Sequence, residues 1–201
     1  MSVDVYLMRH GETEANVAEV LLGREDSPFT AAGWGQPVEV ARHLAKRPLA
    51  CIYASPMERT LRTARLVQEA LGWSIDVKAE SALAEIDAGE FTGLTFAQVR
   101  SQLSDNTVLG QFRYPGGETW AEVQRRAVEF ALSLEKRHPE ESVLLVTHAG
   151  VIAGLVAKYL GEPIEEFIRT RFGHDYLGRL TITAGVFVSY EKIVGTVDSW
   201  V

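Results

Sequence analysis

Arg9 and His10 stand together at the end of one apolar run, His148 follows another, and Arg59 lies four residues after Ser55, where a third run stops. Two guanidiniums are costly to bring together unless an anion sits between them, and their planar forks match the oxygens of a phosphate. A neutral imidazole held against phosphorus can attack it, and neighbouring arginines disfavour its protonation. His10 and His148 are both nucleophile candidates on this reasoning. Phosphoryl transfer also requires charge stabilisation on three equatorial oxygens and a proton for the leaving oxygen. A carboxylic acid must therefore reach the site, and Glu85, Glu12, Glu90 and Glu118 are the choices. A metal held by His10, His148 and a carboxylate is disfavoured, because the arginines repel a cation and no His-x-x-x-His or Asp-rich spacing is present.

These groups must be positioned by strands and helices. Val3 to Met8, Leu49 to Ala54 and Val143 to Thr147 read as buried strands, and Trp73 to Lys78 alternates as a further one. Thr30 is expected to cap a helix running to about Lys46 before Pro48. Ser55-Pro56-Met57-Glu58 has the form of a capping box with proline at the first helical position, placing Arg59 in the first turn of a helix that Gly72 closes. That helix start would add main-chain donors for the anion. Thr95 to Leu103 is a short helix candidate, Tyr114 to Gly117 a turn, and Thr119 to Glu122 a second capping box. The helix it opens carries Trp120, Val123, Ala127, Phe130, Ala131 and Leu134 on one apolar face up to His138-Pro139. A helix follows His148 to about Leu160, and Arg179 to Thr183 with Val186 to Tyr190 reads as a hairpin at the sheet edge.

Strands alternating with helices imply an α/β fold: a three-layer sandwich with a mostly parallel central sheet and helices on both faces. In such sheets ligands bind beyond the carboxyl ends of the strands, where the three polar turns fall. The 201 residues suit a single domain over 1–201, with a small substrate-cap insertion at about 86–118. A net charge of −7 argues against nucleic acid or anionic lipid as partner, and no apolar stretch approaches the roughly 20 residues that span a bilayer. Without a secretory leader pattern and with one cysteine, Cys51, the expected location is cytoplasmic, and Cys51 itself reads as a buried apolar side chain. His43, His138 and His174 fit no pattern and are expected at the surface; Trp34 and the pair Arg125-Arg126 receive no functional role.

The motifs themselves carry a resemblance. Leu7-Met8-Arg9-His10-Gly11-Glu12-Thr13 with Asn16 resembles the Arg-His-Gly signature of the histidine phosphatase superfamily, also called phosphoglycerate mutase-like. The likeness continues in order through Thr30 to Gly33, Ser55-Pro56 with Arg59-Thr60, Leu83 to Ile86, Gly116-Gly117-Glu118 and Val146 to Ile152. It implies the phosphoglycerate mutase-like fold and the following roles. His10 is the nucleophile that forms a phosphohistidine, Arg9, Arg59 and His148 hold the phosphoryl oxygens, and Glu85 is the proton donor, with Glu12, Asp87 and Glu90 as rivals. Asn16, Gly23, Arg24 and Ala149 correspond to phosphate-binding or entrance positions, and Glu118 to a support of the histidine pocket. No metal and no cofactor is implied.

The family's mutases carry a motif of the type Glu-Arg-x-Tyr-Gly after the proton donor, whereas this chain has Glu85-Ile86-Asp87-Ala88-Gly89. The expected activity is therefore that of a metal-independent phosphoric monoester hydrolase acting on a small-molecule phosphomonoester. Relatives of this length include broad phosphatases and α-ribazole phosphatases. Two alternatives stand beside it: a mutase primed by 2,3-bisphosphoglycerate, and a phosphate-binding module without catalysis. Phe91, Phe96, Phe112 and Tyr114 in the 86–118 segment suggest a wall for an apolar or aromatic leaving group. The C-terminal hairpin offers an edge strand for a homodimer, or one that Lys192 protects.

Overall fold

Among the described residues, the β-branched and large apolar runs form eight strands: β1 Ser2–Arg9, β2 Cys51–Ala54, β3 Val77–Ala79, β4 Glu141–Thr147, β5 Thr170–Phe172, β6 Leu177–Thr183, β7 Val186–Val194 and β8 Val197–Ser199. Between them lie α1 Glu14–Val17, α2 Ala31–Ala41, α3 Glu58–Leu71, α4 Phe96–Gln102, α5 Trp120–Arg137, α6 Ala149–Leu160 and α7 Ile164–Phe167. This computed structural model describes residues 1–104 and 106–199. Six strands make one sheet in the order β3-β2-β4-β1-β6-β7. The first four run parallel, β6 adds antiparallel to β1, and β7 adds antiparallel to β6. β5 and β8 pair separately as a short ribbon.

Alternation along the central strands sorts their side chains into two apolar layers. Val3, Val5, Leu7, Cys51, Tyr53, Val143 and Leu145 face Val123, Ala127, Ala131 and Leu134 of α5 and Val151, Ile152 and Leu155 of α6. Tyr6, Met8, Ile52, Ala54, Leu144 and Val146 face the opposite layer, with Val40 and Ala41 of α2 and Ala64 and Val67 of α3. Helices on both faces of a mostly parallel sheet are the expected architecture. Among the described residues no helix is long and apolar enough to cross a membrane.

Most helix ends form where side-chain chemistry placed them. Thr30 accepts from the Gly33 N–H, Thr95 and Thr119 each close a capping box, and Gly72 ends α3 at φ +63°. Three boundaries differ. After Pro37, α2 stops at Ala41 and tightens into a 3₁₀ turn at Arg42–Leu44, short of Lys46. The strand expected over Trp73 to Lys78 pairs only from Val77 to Ala79. The capping box at Ser55 does not form: α3 starts at Glu58, with Met57 at its N-cap and no side chain on that cap. Arg59 remains in the first turn, and Ser55 is released for another partner.

Candidate active site

The carboxyl ends of β1, β2 and β4 meet at one floor. Arg9 is the last residue of β1, and His10 follows it with its main-chain N–H donating 3.0 Å to the carbonyl of Thr147 at the end of β4. Ser55 follows β2, and its N–H donates 3.0 Å to the Val146 carbonyl. His10 and His148, brought together from positions 138 residues apart, have ring centroids 5.2 Å apart and planes inclined at 62°. Gly11, next to the nucleophile candidate, lies so close to the Gly33 carbonyl that no Cβ fits between them.

The bonds of His10 determine which nitrogen is reactive. Nδ1 lies 2.8 Å from the Gly11 carbonyl, an acceptor, so Nδ1 carries the proton and Nε2 carries the lone pair. Burial, together with Arg59, the two other imidazoles and Arg9, pushes the His10 pKa well below its usual 6.5 and keeps that lone pair free. Burial with Arg59, Arg9 and Arg126 does the same to His148. His148 Nε2 lies 2.8 Å from Ser55 Oγ, and its Nδ1 is buried without a hydrogen-bond partner. This contact is what Ser55 does in place of capping α3.

Both arginines reach the floor. Arg9 donates from Nη1 to the Phe172 carbonyl at 2.6 Å, and its buried Nε has no partner. Burial lowers its pKa to about 10. Arg59 is 5% exposed and donates to the carbonyls of Gly23 and Glu25 and to Asp26. Asp26 also accepts from the main-chain N–H groups of Glu58 and Arg59, so a carboxylate of the chain itself occupies the start of α3. Glu58 pairs with Arg62 at the surface, at 2.9 Å.

Among the acid choices Glu85 is partly buried, and desolvation outweighs the Ile86 N–H bond and the arginines and raises its pKa. Burial also acts upward on Glu118, but bonds from Arg126 and the Asp87 main chain overcome it and hold that carboxyl below the usual range. Glu12 accepts the Thr30 hydroxyl, and Glu90 is exposed. A Cβ on Gly150 would collide with the Trp120 indole and lie 3.0 Å from Glu85 Oε1, so the carboxyl sits against the first turn of α6. Gly150→Ala must displace the indole or the carboxyl. Its expected effect is a loss of about tenfold or more in kcat with little change in Tm, read by steady-state kinetics and thermal melts.

The looser assignments divide. The Gly23 carbonyl binds Arg59 Nη2, and its φ of +52°, with the Ile86 carbonyl oxygen 2.9 Å from where a Cβ would stand, demands glycine. Asn16 uses Oδ1 to cap α1 through Thr13. Arg24 is exposed and pairs with Asp87 and Glu118. Ala149 opens α6 directly after His148. Glu118 acts through Arg126, which donates to the carbonyls of Ala82 and Glu85 and thereby fixes the main chain of the acid. Arg126, expected to have no functional role, thus supports the site; nothing local in the sequence marks an i, i+8 partnership that crosses a helix start.

Two further expectations change. Phe91 and Tyr114 are buried and pack edge-to-face with a centroid distance of 5.6 Å, so the 86–118 segment spends these aromatics on its own core. A cavity of about 330 Å³ instead adjoins Arg59 on the side of Ser27, Phe29 and Arg62. His174 is 7% exposed, with its ring 5.3 Å from that of His10 and its Nδ1 2.7 Å from the His10 carbonyl. It lies just after β5, a strand too short to be read from sequence. His138 is also half-buried, between Tyr53 and Glu141, while His43 is exposed.

Burial pushes the His174 pKa down to about 3, so three imidazoles are held neutral in the folded protein. In the unfolded chain they titrate near ~6.5. As pH falls through that value the unfolded state binds protons that the folded state refuses, and stability drops until the folded groups titrate, for His174 at about 3. Glu85, with its raised pKa, acts in the opposite sense, one group against three. Thermal melts without phosphate should show Tm declining from pH 7 to pH 5; a rising Tm would contradict neutral burial.

The sequence model of the histidine phosphatase superfamily, branch 1, matches residues 5–190. A protein of Salmonella choleraesuis named as a probable phosphoglycerate mutase GpmB is 34% identical, over 96% of this chain and 92% of its own length. Bacillus stearothermophilus YhfR has a similar structure, with TM-score 0.79, 28% identity, and coverage of 92% of this chain and 94% of its own. A mycobacterial glucosyl-3-phosphoglycerate phosphatase gives TM-score 0.80 at 25% identity, covering 97% and 99%.

Proposed function

The chain belongs to branch 1 of the histidine phosphatase superfamily, and we propose that it is a phosphomonoester hydrolase in which His10 carries the phosphoryl group. The observation that carries this reading is the His10 ring: buried, neutral, and oriented by the Gly11 carbonyl so that Nε2 keeps its lone pair beside two arginines. In the first half-reaction Nε2 attacks phosphorus, the ester P–O bond breaks, and the Glu85 carboxyl gives its proton to the leaving oxygen. In the second, a water oxygen attacks phosphorus, Glu85 takes the water proton, and the P–N electron pair returns to Nε2. Arg9 and Arg59 stabilise the equatorial oxygens in both.

His148 joins them as a donor when Ser55 turns its hydroxyl from the Met57 sulfur to His148 Nε2, leaving the proton on Nδ1. Sulfur is a weak acceptor, so this turn costs little. Gly23 serves the pocket through its carbonyl to Arg59, and Arg24 and Glu118 through the Arg126 brace; Asn16 and Ala149 hold their places at α1 and at the start of α6. The whole chain acts as one domain, the 86–118 segment forming a wall behind Glu85.

Mutase activity is the second reading, favoured by the name of the 34% identical relative. Rapid-quench labelling with a phosphomonoester, in the presence of chelator, separates the readings. The expected result is an acid-labile, base-stable phosphoprotein that decays by releasing phosphate to water. Transfer of the label to phosphoglycerate in preference to water would establish the mutase. Phosphate binding without labelling or turnover would leave a binding module.

A further inference from the structure

Three buried polar atoms at the floor of the site lack partners, and beside His148 Nδ1, already described, the other two differ in kind. Arg9 Nε is a donor in need of an acceptor. His174 Nε2 is the opposite: because Nδ1 faces the His10 carbonyl at 2.7 Å and must carry the proton, Nε2 of the neutral ring bears a lone pair. Either group is destabilising if it stays unsatisfied in a buried site, so each calls for a partner from outside the chain. The His174 ring lies 5.3 Å from His10, about as close as His148 at 5.2 Å, so the nucleophile has an imidazole on each of two contacts. A fully ionised phosphoryl group offers only acceptors. It satisfies Arg9 and repels an imidazole lone pair.

We propose that His174 is a further ligand of the phosphoryl group, bonded from Nε2 to a phosphoryl oxygen through a single shared proton, so that the site takes up its phosphoester with one proton more than the free dianion carries. The proton is either on the ester, as a monoanion whose P–OH donates to Nε2, or on the ring, as an imidazolium donating to a dianion; the two differ only in where it rests. Burial first, then Arg9 from β1 and Arg171 from β5, disfavour a proton on the ring, while the His10 carbonyl and Asp175 favour one. An arriving anion tips that balance. This inference rests on the phosphoryl-site reading of His10 and adds the protonation state in which the substrate binds.

The test measures binding of inorganic phosphate by calorimetry at pH 8 in buffers of different ionisation enthalpy, which gives the protons taken up. Glu85→Gln serves as the background, since Glu85 can also gain a proton there. His174→Asn keeps a donor near the Nδ1 position for the His10 carbonyl but does not reach Nε2; His174→Gln reaches the Nε2 position without a titratable ring. The expected result is close to one proton per phosphate in the background protein, none with either His174 substitution, and phosphate affinity about 10- to 100-fold weaker in His174→Asn. Phosphate binding in His174→Asn with unchanged affinity and proton uptake would overturn the inference and confine His174 to positioning His10. A native protein that binds no phosphate would overturn the phosphoryl-site reading itself. Should the variants misfold, ¹⁵N-histidine spectra of the native protein suffice. A third buried imidazole whose Nε2 becomes protonated with phosphate supports the inference, and one that stays unprotonated without phosphate contact refutes it.

Discussion

His10→Ala is expected to lower turnover by at least about 10⁴-fold and to abolish the trapped phosphoprotein, because the atom that accepts phosphorus is gone while its surroundings remain. The side chain contributes one bond to the fold, to the adjacent Gly11 carbonyl, and the main-chain bond to Thr147 is retained. Arg9 and Arg59 keep their carbonyl partners. Inorganic phosphate should therefore still bind, so the loss falls on kcat. Rapid-quench labelling of native and variant proteins decides the point. A labelled His10→Ala protein would assign the nucleophile to His148, the candidate that side-chain chemistry alone could not separate from it.

Glu85→Gln has the next largest expected effect. Removing a general acid costs about 10²- to 10⁴-fold, and the loss should be greatest for alkyl esters, whose leaving oxygens most need a proton, and least for aryl esters. The pH profile carries a second signature. The donor must be protonated, so its raised pKa sets the alkaline limb, and activity falls as pH rises through it. The His10 pKa, well below 6.5, sets the acid limb, because activity falls as protonation removes the lone pair. Glutamine should abolish the alkaline limb and preserve the acid one. An unchanged profile, or equal losses on alkyl and aryl esters, would direct attention to Glu12, the other carboxylate in the electrostatic field of Arg9.

The two effects are coupled through position. Glu85 is held by Arg126 through its own carbonyl, and Arg126 by Glu118, so the acid is fixed from behind by a partly buried ion pair. Gly150 and Trp120 limit it from the front. Loss of any one of these supports should reduce kcat without removing a reacting atom, which is the behaviour expected of Gly150→Ala.

The sequence by itself determined the framework and the chemistry. Apolar runs ending abruptly in Arg9-His10, Ser55 and His148 placed the polar groups at the carboxyl ends of parallel strands, since strand period and helix capping are local properties that neighbours in sequence enforce. Thr30, Thr95 and Thr119 cap as their spacing dictates, because a capping bond spans only three residues. Tertiary structure alone decided the rest. Ser55 abandons a local cap for His148, 93 residues away, a partner that exists only once β2 and β4 are paired. Arg126 reaches the main chain at Ala82 and Glu85 across the packed layer of α5. His174, 164 residues from His10 and set after a three-residue strand, carries no local pattern at all. Its burial beside the nucleophile arises from the return of the chain along the sheet, and long-range contacts of this kind leave no periodicity in sequence because no single element has to satisfy them.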